Sequence, residues 1–99
     1  MTRIYYIGDE ATAAGYRLAG ALTRVPDRAE AAEAFQRALA DKADMVLLSA
    51  ELADALDPQE LSAALLAEQP LVAVVQDVYG RHPSPDIARE VRLALGIEP

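Results

Sequence analysis

Short apolar runs alternate along this chain with longer segments that carry polar residues on one side. Four of these runs are rich in Ile, Val, Leu and Tyr, and turn or capping residues bound each of them. They predict β-strands at 3–7, 21–25, 44–50 and 71–75. The third run has four apolar residues in succession and is predicted to be the most buried strand. The second is predicted to lie at an edge of the sheet.

The first two segments between these strands predict helices, because each opens with a capping residue. Asp9 is placed to cap a helix over 11–20, and Asp27 with Glu30 makes a pair like a capping box. Gly8 is predicted to permit the sharp exit from the first strand. Two further glycines are predicted to let the first helix approach the sheet closely: Gly15 and Gly20. The apolar stripe of the second helix is predicted to be Ala32, Phe35 and Leu39.

The second half of the chain continues the alternation. Residues 51–56 predict a helical turn or two, and Asp57 followed by Pro58 predicts the start of a further helix. After strand 71–75, a loop with Gly and Pro leads to a last predicted helix that begins near Ser84. Its apolar stripe, at spacings of four residues, is Ile87, Val91 and Leu95.

The strict alternation of strands and helices predicts an α/β fold. Short links between the elements favour a parallel sheet covered by helices on both faces, a flavodoxin-like or receiver-like three-layer sandwich. Right-handed crossovers give a four-stranded sheet with strand order 2-1-3-4. We predict a single α/β domain at 1–83 followed by a C-terminal helix at 84–99 that can move relative to it.

Composition narrows the classes of function. The chain has 99 residues and no cysteine, which excludes disulfides, thiolate catalysis and zinc–thiolate sites. Its formal net charge of −7 disfavours nucleic acid and anionic membrane surfaces as partners. No stretch has the length and apolar character of a membrane span or a signal peptide, so a soluble intracellular protein without direct membrane insertion is expected.

A cluster of carboxylates is predicted at the carboxyl ends of the central strands. Asp9, Glu10 and Glu51 should meet there, in the crevice where ligands bind in sheets of this order. Receiver domains of response regulators hold magnesium with an acidic pair at this place, but they need a phospho-accepting Asp at the end of strand 3. This chain has Ser49 and Ala50 there. We therefore interpret the acids as capping residues in a solvated turn.

Nucleotide binding and nucleophilic catalysis find equally little support. The stretch GDEATAAG matches neither G-x-G-x-x-G nor the P-loop pattern, and no lysine lies nearby in the sequence. A catalytic pair would require His82 beside Ser49 or Ser84, and a lone histidine between Arg81 and Pro83 is more typical of a loop. We predict no catalytic, metal-binding or cofactor-binding residue.

The stretch IYYIGDEATAAGYRLAGA resembles the opening of the F subunit of the archaeal/vacuolar-type (A/V-type) rotary ATPases. That opening is an apolar strand, I-G-D, a variable turn, and T-x-x-G-[FY]-x-L-A-G. The matching positions are Ile7, Gly8, Asp9, Thr12, Gly15, Tyr16, Leu18, Ala19 and Gly20. Later features follow in order, including a central Phe35 and the strand MVLLSAELA. The loop VVQDVYGRHPSP departs from the family because it lacks the usual Ile-Pro.

The resemblance implies a non-catalytic rotor component of a proton- or sodium-translocating ATPase or ATP synthase. It implies binding to the coiled-coil central shaft, the D-type component of such motors, beneath the hexamer of catalytic and regulatory subunits. A cytoplasmic location, peripheral to the membrane through the complex, follows from this. The C-terminal helix would lie along the shaft and modulate ATP hydrolysis, and its predicted partner-binding residues are Ile87, Arg89, Val91, Arg92 and Leu95.

Two other classes of function stay open at this stage. One is a non-phosphorylatable pseudo-receiver adaptor that docks on a signalling partner. The other is a small enzyme that uses the acidic corner, which lacks an evident nucleophile or ligand set. Chromosomal neighbours encoding large P-loop ATPase subunits would distinguish a rotor component from an adaptor.

Overall fold

The computed structural model describes residues 2–76, and within them strands and helices alternate as predicted. The strands are β1 (Ile4–Ile7), β2 (Leu22–Arg24), β3 (Met45–Ser49) and β4 (Leu71–Val75). The helices are α1 (Glu10–Leu18), α2 (Ala31–Ala40), α3 (Ala50–Ala53) and α4 (Pro58–Leu66), and a 3₁₀ turn, Arg28–Glu30, precedes α2. The predicted helix at 84–99 lies outside the described residues. None of the helices within 2–76 is long and apolar enough to cross a membrane.

The four strands form one parallel sheet in the order β2-β1-β3-β4, which confirms the predicted topology. In register, Tyr5 of β1 lies between Leu22 of β2 and Val46 of β3. Val46 in turn pairs with Val72 of β4. β1 and β3 are therefore the central strands, and β2 is an edge strand as predicted.

The main core lies on the sheet face that α2, α3 and α4 cover. Because side chains alternate along a strand, each strand contributes every second residue to this face. Phe35 of α2 is fully buried at its centre. The strand residues buried with it are Tyr5, Ile7, Val46, Leu48 and Val72. Burial of such side chains stabilises the fold by about 1.5–3 kcal/mol each.

The opposite face is covered differently. α1 packs against β2 and β1, where Tyr16 stacks on the fully buried Tyr6 with 4.8 Å between the ring centroids. Helices therefore lie on both faces, which makes the domain a three-layer sandwich. On the β3 and β4 half of this face, Met45 and Leu47 are only half-buried and Leu71 is 49% exposed.

Two predictions about helix packing were wrong. Ala32 is exposed, and the buried side chains of α2 are Ala31, Phe35 and Ala38. Both sets of residues recur every three or four positions, so helical periodicity alone does not distinguish them. Gly15 and Gly20 do not approach the sheet, since a Cβ atom at either position would meet nothing within 4 Å. Gly20 instead has φ +100° and follows the last turn of α1, where a left-handed residue ends the helix.

The amino end of the sheet is tied to the end of α2. The Arg3 guanidinium lies 3.1 Å from Asp41, and the backbone N–H of Arg3 donates to Asp44. The Tyr5 hydroxyl donates to Asp41 as well. The hydrogen bond from Tyr5 is the main cause that lowers the pKa of Asp41, and the nearby arginines lower it further. The ring of Tyr5 is therefore fixed at both its buried face and its hydroxyl.

Candidate functional site

The carboxyl ends of β1 and β3 form the crevice in which a fold of this topology offers a ligand site. β1 ends at Ile7 and is followed by Gly8 and Asp9, while β3 ends at Ser49. The two strands are directly paired, so these residues lie side by side. The acids predicted from the sequence to cluster lie at or near this crevice.

A tyrosine ring packs against the β1 side of this crevice. Tyr6 is fully buried, and a Cβ atom built on Gly8 would lie 2.2 Å from its hydroxyl oxygen and 2.8 Å from Ser49 Cβ. The Tyr6 hydroxyl donates to Asp9 Oδ1 at 3.0 Å. Burial, together with this hydrogen bond, raises the pKa of Tyr6, so its hydroxyl stays protonated. Gly8 is thus the glycine that close packing requires, because a side chain at this position would collide with Tyr6.

Asp9 is committed to structure by its hydrogen bonds. Its Oδ2 accepts from the backbone N–H of Thr12 at 2.9 Å, which caps α1 as predicted. Burial on its own would raise the pKa of Asp9, but the hydrogen bonds from Thr12 and Tyr6 outweigh it and hold the pKa below its ordinary value. The carboxylate is therefore charged at neutral pH and is already bound by donors within the fold.

The predicted cluster of three acids does not form. Glu10 turns along α1 and pairs with Arg17 at 3.0 Å. Asp9 and Glu51 do line a common open hollow of about 330 Å³, but Arg28 lines it too. Within residues 2–76, no group of three His, Asp or Glu side chains is arranged to hold a metal ion.

Ser49, at the end of β3, is a helix-capping residue. Its side chain is buried and accepts from the backbone N–H of Leu52 at 3.2 Å, so it caps α3. This position corresponds to the phospho-accepting Asp of receiver domains, and here it carries a hydroxyl that is already hydrogen-bonded. Tyr6, Asp9 and Ser49 together make this corner a packed structural cluster.

The packing of Tyr6 was not predicted from the sequence. The alternation of side chains along β1 could have indicated it. Tyr6 lies on the opposite face of the strand from Tyr5, and it precedes Gly8 by two residues, which places both on the same face. A large ring beside a glycine on the same face indicates close packing of one on the other. The predicted partner-binding residues stay a prediction, since they lie outside the described residues: Ile87, Arg89, Val91, Arg92 and Leu95.

A second feature that the sequence did not reveal lies along the edge strand. Between β2 and α2 runs an open hollow of about 360 Å³, which we call the β2 groove. Its lining residues are Arg24, Val25, Pro26, Glu30, Glu33, Ala34 and Arg37. Val25 is 46% exposed, although it is a large aliphatic side chain. The groove depends on how α2 packs across β2, so it could not be predicted from a local sequence pattern.

Comparison with known proteins agrees with the resemblance of the opening motif. The model of one protein family, described as ATP synthase (F/14-kDa) subunit, matches residues 4–91. Among curated proteins, none matches the chain. The family match spans most of the sequence, including all four strands of the sheet. The chain therefore belongs to the family of the ATP synthase (F/14-kDa) subunit, the F subunit of V/A-type ATP synthases.

Proposed function

We propose that this protein is a non-catalytic component of the rotor of an A/V-type ATPase, where it binds the coiled-coil central shaft subunit and modulates ATP hydrolysis. Membership of the F-subunit family is the observation that carries the proposal. It also favours the rotor over a pseudo-receiver adaptor. In this role the protein works on the cytoplasmic side, peripheral to the membrane, below the hexamer of catalytic and regulatory subunits.

The geometry of the crevice supports a role without chemistry. The position at which a receiver domain accepts phosphate carries Ser49 here, and both Ser49 and the neighbouring Asp9 are hydrogen-bonded within the fold. A domain packed in this way serves as a rigid body that presents its surfaces to partners.

We further propose that residues 84–99 act as the lever of this rotor component. Ile87, Val91 and Leu95 form one apolar stripe, and Arg89 and Arg92 lie mainly off it. Among the described residues the fourth strand of the sheet ends at Val75. On the β3 and β4 half of the α1 side, these residues offer a half-exposed apolar surface that includes Met45 and Leu71. The stripe can pack on this surface or on the shaft, but not on both.

Two experiments test this function. Co-expression with the coiled-coil shaft subunit, followed by size-exclusion chromatography, should give a one-to-one complex. Failure to co-elute at micromolar concentrations would contradict the rotor role. Deletion of residues 84–99 should leave a domain that folds, by circular dichroism, but has lost most of its effect in a reconstituted ATPase assay. A truncated chain that cannot fold, or that modulates the motor as the full chain does, would contradict the lever.

A further inference from the structure

Among residues 2–76, Arg24 in the β2 groove forms no ion pair, although the protein is strongly acidic. Each of the other arginines within residues 2–76 has a carboxylate oxygen within 4.0 Å. Those pairs are Arg3–Asp41, Arg17–Glu10, Arg28–Asp54 and Arg37–Glu33. In the part of the chain that the structure describes, no carboxylate lies within that distance of Arg24. The chain has 16 acidic residues and 9 Lys and Arg, so an unpaired arginine is not explained by a shortage of acids.

The Arg24 side chain is nevertheless held in place. Its Nη1 donates to the backbone carbonyl of Thr23 at 2.8 Å, and its Cζ lies 5.3 Å from the centroid of the Tyr5 ring. Tyr5 is 3% exposed and is itself fixed through its hydroxyl. A cation over an aromatic face is stabilised, and holding it there reduces the side-chain entropy that binding would otherwise cost.

The groove has a second unpaired charge of opposite sign. Glu30 lines it as well, and among residues 2–76 its side chain has no hydrogen-bonding or ionic partner. Val25 and Pro26 of the strand side and Ala34 of α2 supply apolar surface to the same groove. A partner that matches this groove carries an acidic residue, aliphatic residues and a basic residue on one surface.

The edge of β2 favours a helix over an added strand as that partner. An open strand edge invites pairing with another strand. At Thr23, however, the carbonyl already accepts from Arg24, and the hydroxyl accepts from Arg17 Nε at 3.0 Å. Side chains from a helix can fill the groove without using this carbonyl or this hydroxyl.

We propose that the β2 groove is a docking site for a helix of the shaft subunit, which presents a carboxylate to Arg24 and a cation to Glu30. This inference rests on the proposed function and adds a contact surface on the globular domain to the one proposed for residues 84–99. Arginine side chains beside apolar surface are among the residues that contribute most to protein interfaces. Arg24 has that environment, and among the described residues no carboxylate lies within 4.0 Å of it.

The test measures binding of the full chain to the purified shaft subunit by isothermal titration calorimetry. Arg24→Gln should weaken binding by about tenfold or more. A variant that combines Arg24→Glu with Glu30→Arg keeps the net charge and reverses the polarity of the groove, so it should bind at least as weakly. Val25→Asp tests the apolar part independently. Lys42→Gln also removes one positive charge, but away from the groove, and should change Kd by less than about twofold.

The outcomes separate the two proposals. If the wild-type chain does not bind the shaft subunit, the proposed function fails and this inference falls with it. If the wild type binds, and the three groove variants bind as tightly as it does, the groove is not the docking site. An equal loss of affinity in the Lys42→Gln control would indicate general electrostatics and would overturn the inference as well. Circular dichroism of each variant establishes that a loss of binding is not a loss of fold.

Discussion

Substitution of Gly8 by alanine should destabilise this domain strongly, although both residues are small. The added methyl carbon would lie 2.2 Å from the Tyr6 hydroxyl oxygen, 2.5 Å from Tyr6 Cζ and 2.8 Å from Ser49 Cβ. Carbon atoms in contact normally lie about 3.5–4.0 Å apart, so the ring has to move by roughly 1 Å. It has little room to do so, because it is fully buried and stacks on Tyr16.

The expected cost follows from what the ring would lose. Overpacking a buried site costs about 1–3 kcal/mol, and the hydrogen bond from the Tyr6 hydroxyl to the charged Asp9 contributes about 1.5–3 kcal/mol. Replacing glycine lowers the entropy of the unfolded chain, which offsets about 0.4–1 kcal/mol. The free energy of unfolding should therefore fall by about 2–5 kcal/mol, a large part of the roughly 5–15 kcal/mol typical of a domain.

Urea unfolding followed by circular dichroism measures this change, and Gly15→Ala is the matched control. Gly15 lies inside α1 with open space around it, so alanine there should stabilise the domain by about 0.5–1 kcal/mol. In a Tyr6→Phe background, the cost of Gly8→Ala should be smaller, because the nearest atom is gone. A Gly8→Ala variant within about 1 kcal/mol of the wild type would refute the packing described for the crevice.

Two further predictions concern single positions, and a third concerns the crevice at the carboxyl ends of β1 and β3. Lys42 has φ 58°, a left-handed conformation, so Lys42→Gly should raise the free energy of unfolding by about 0.5–1 kcal/mol in the same urea assay. The folded-state pKa of Asp9 lies below its ordinary value of 3.8. Asp9 therefore stabilises the fold above pH 3.8, and this contribution is lost as the pH falls through the folded-state pKa. Between pH 7 and pH 3, the free energy of unfolding should fall less for Asp9→Asn than for the wild type. Incubation with a small phosphodonor and Mg²⁺ should leave the intact mass unchanged, and a stable adduct would restore the receiver interpretation.

The order of the elements could be predicted because it depends on local patterns. Apolar runs, capping residues and the alternation of strands with helices specify a parallel sheet, and the handedness of crossovers limits its strand order. The N-caps at Asp9 and Asp57 were predicted correctly, since each relies on a side chain only two or three residues from the backbone group that it binds.

The errors arose where packing between distant residues decides the outcome. Which glycine touches the sheet depends on where Tyr6 and Ser49 meet, and Ser49 is far from Gly8 in the sequence. The burial of Ala31 instead of Ala32 depends on which side of α2 faces the sheet, and helical spacing fits either alanine. The β2 groove and the unpaired Arg24 likewise require the position of α2 relative to an edge strand.

The central place of β1 has a consequence for how the chain folds. Of the four strands of this sheet β1 is synthesised first, yet one of its two partners, β3, pairs with it through residues such as Val46. The contact of Arg3 with Asp44 spans 41 residues. Long loops must close before such pairings form, and parallel sheets fold slowly for this reason. On the ribosome, β1, α1 and β2 can associate early, but one edge of β1 has to wait until β3 has emerged.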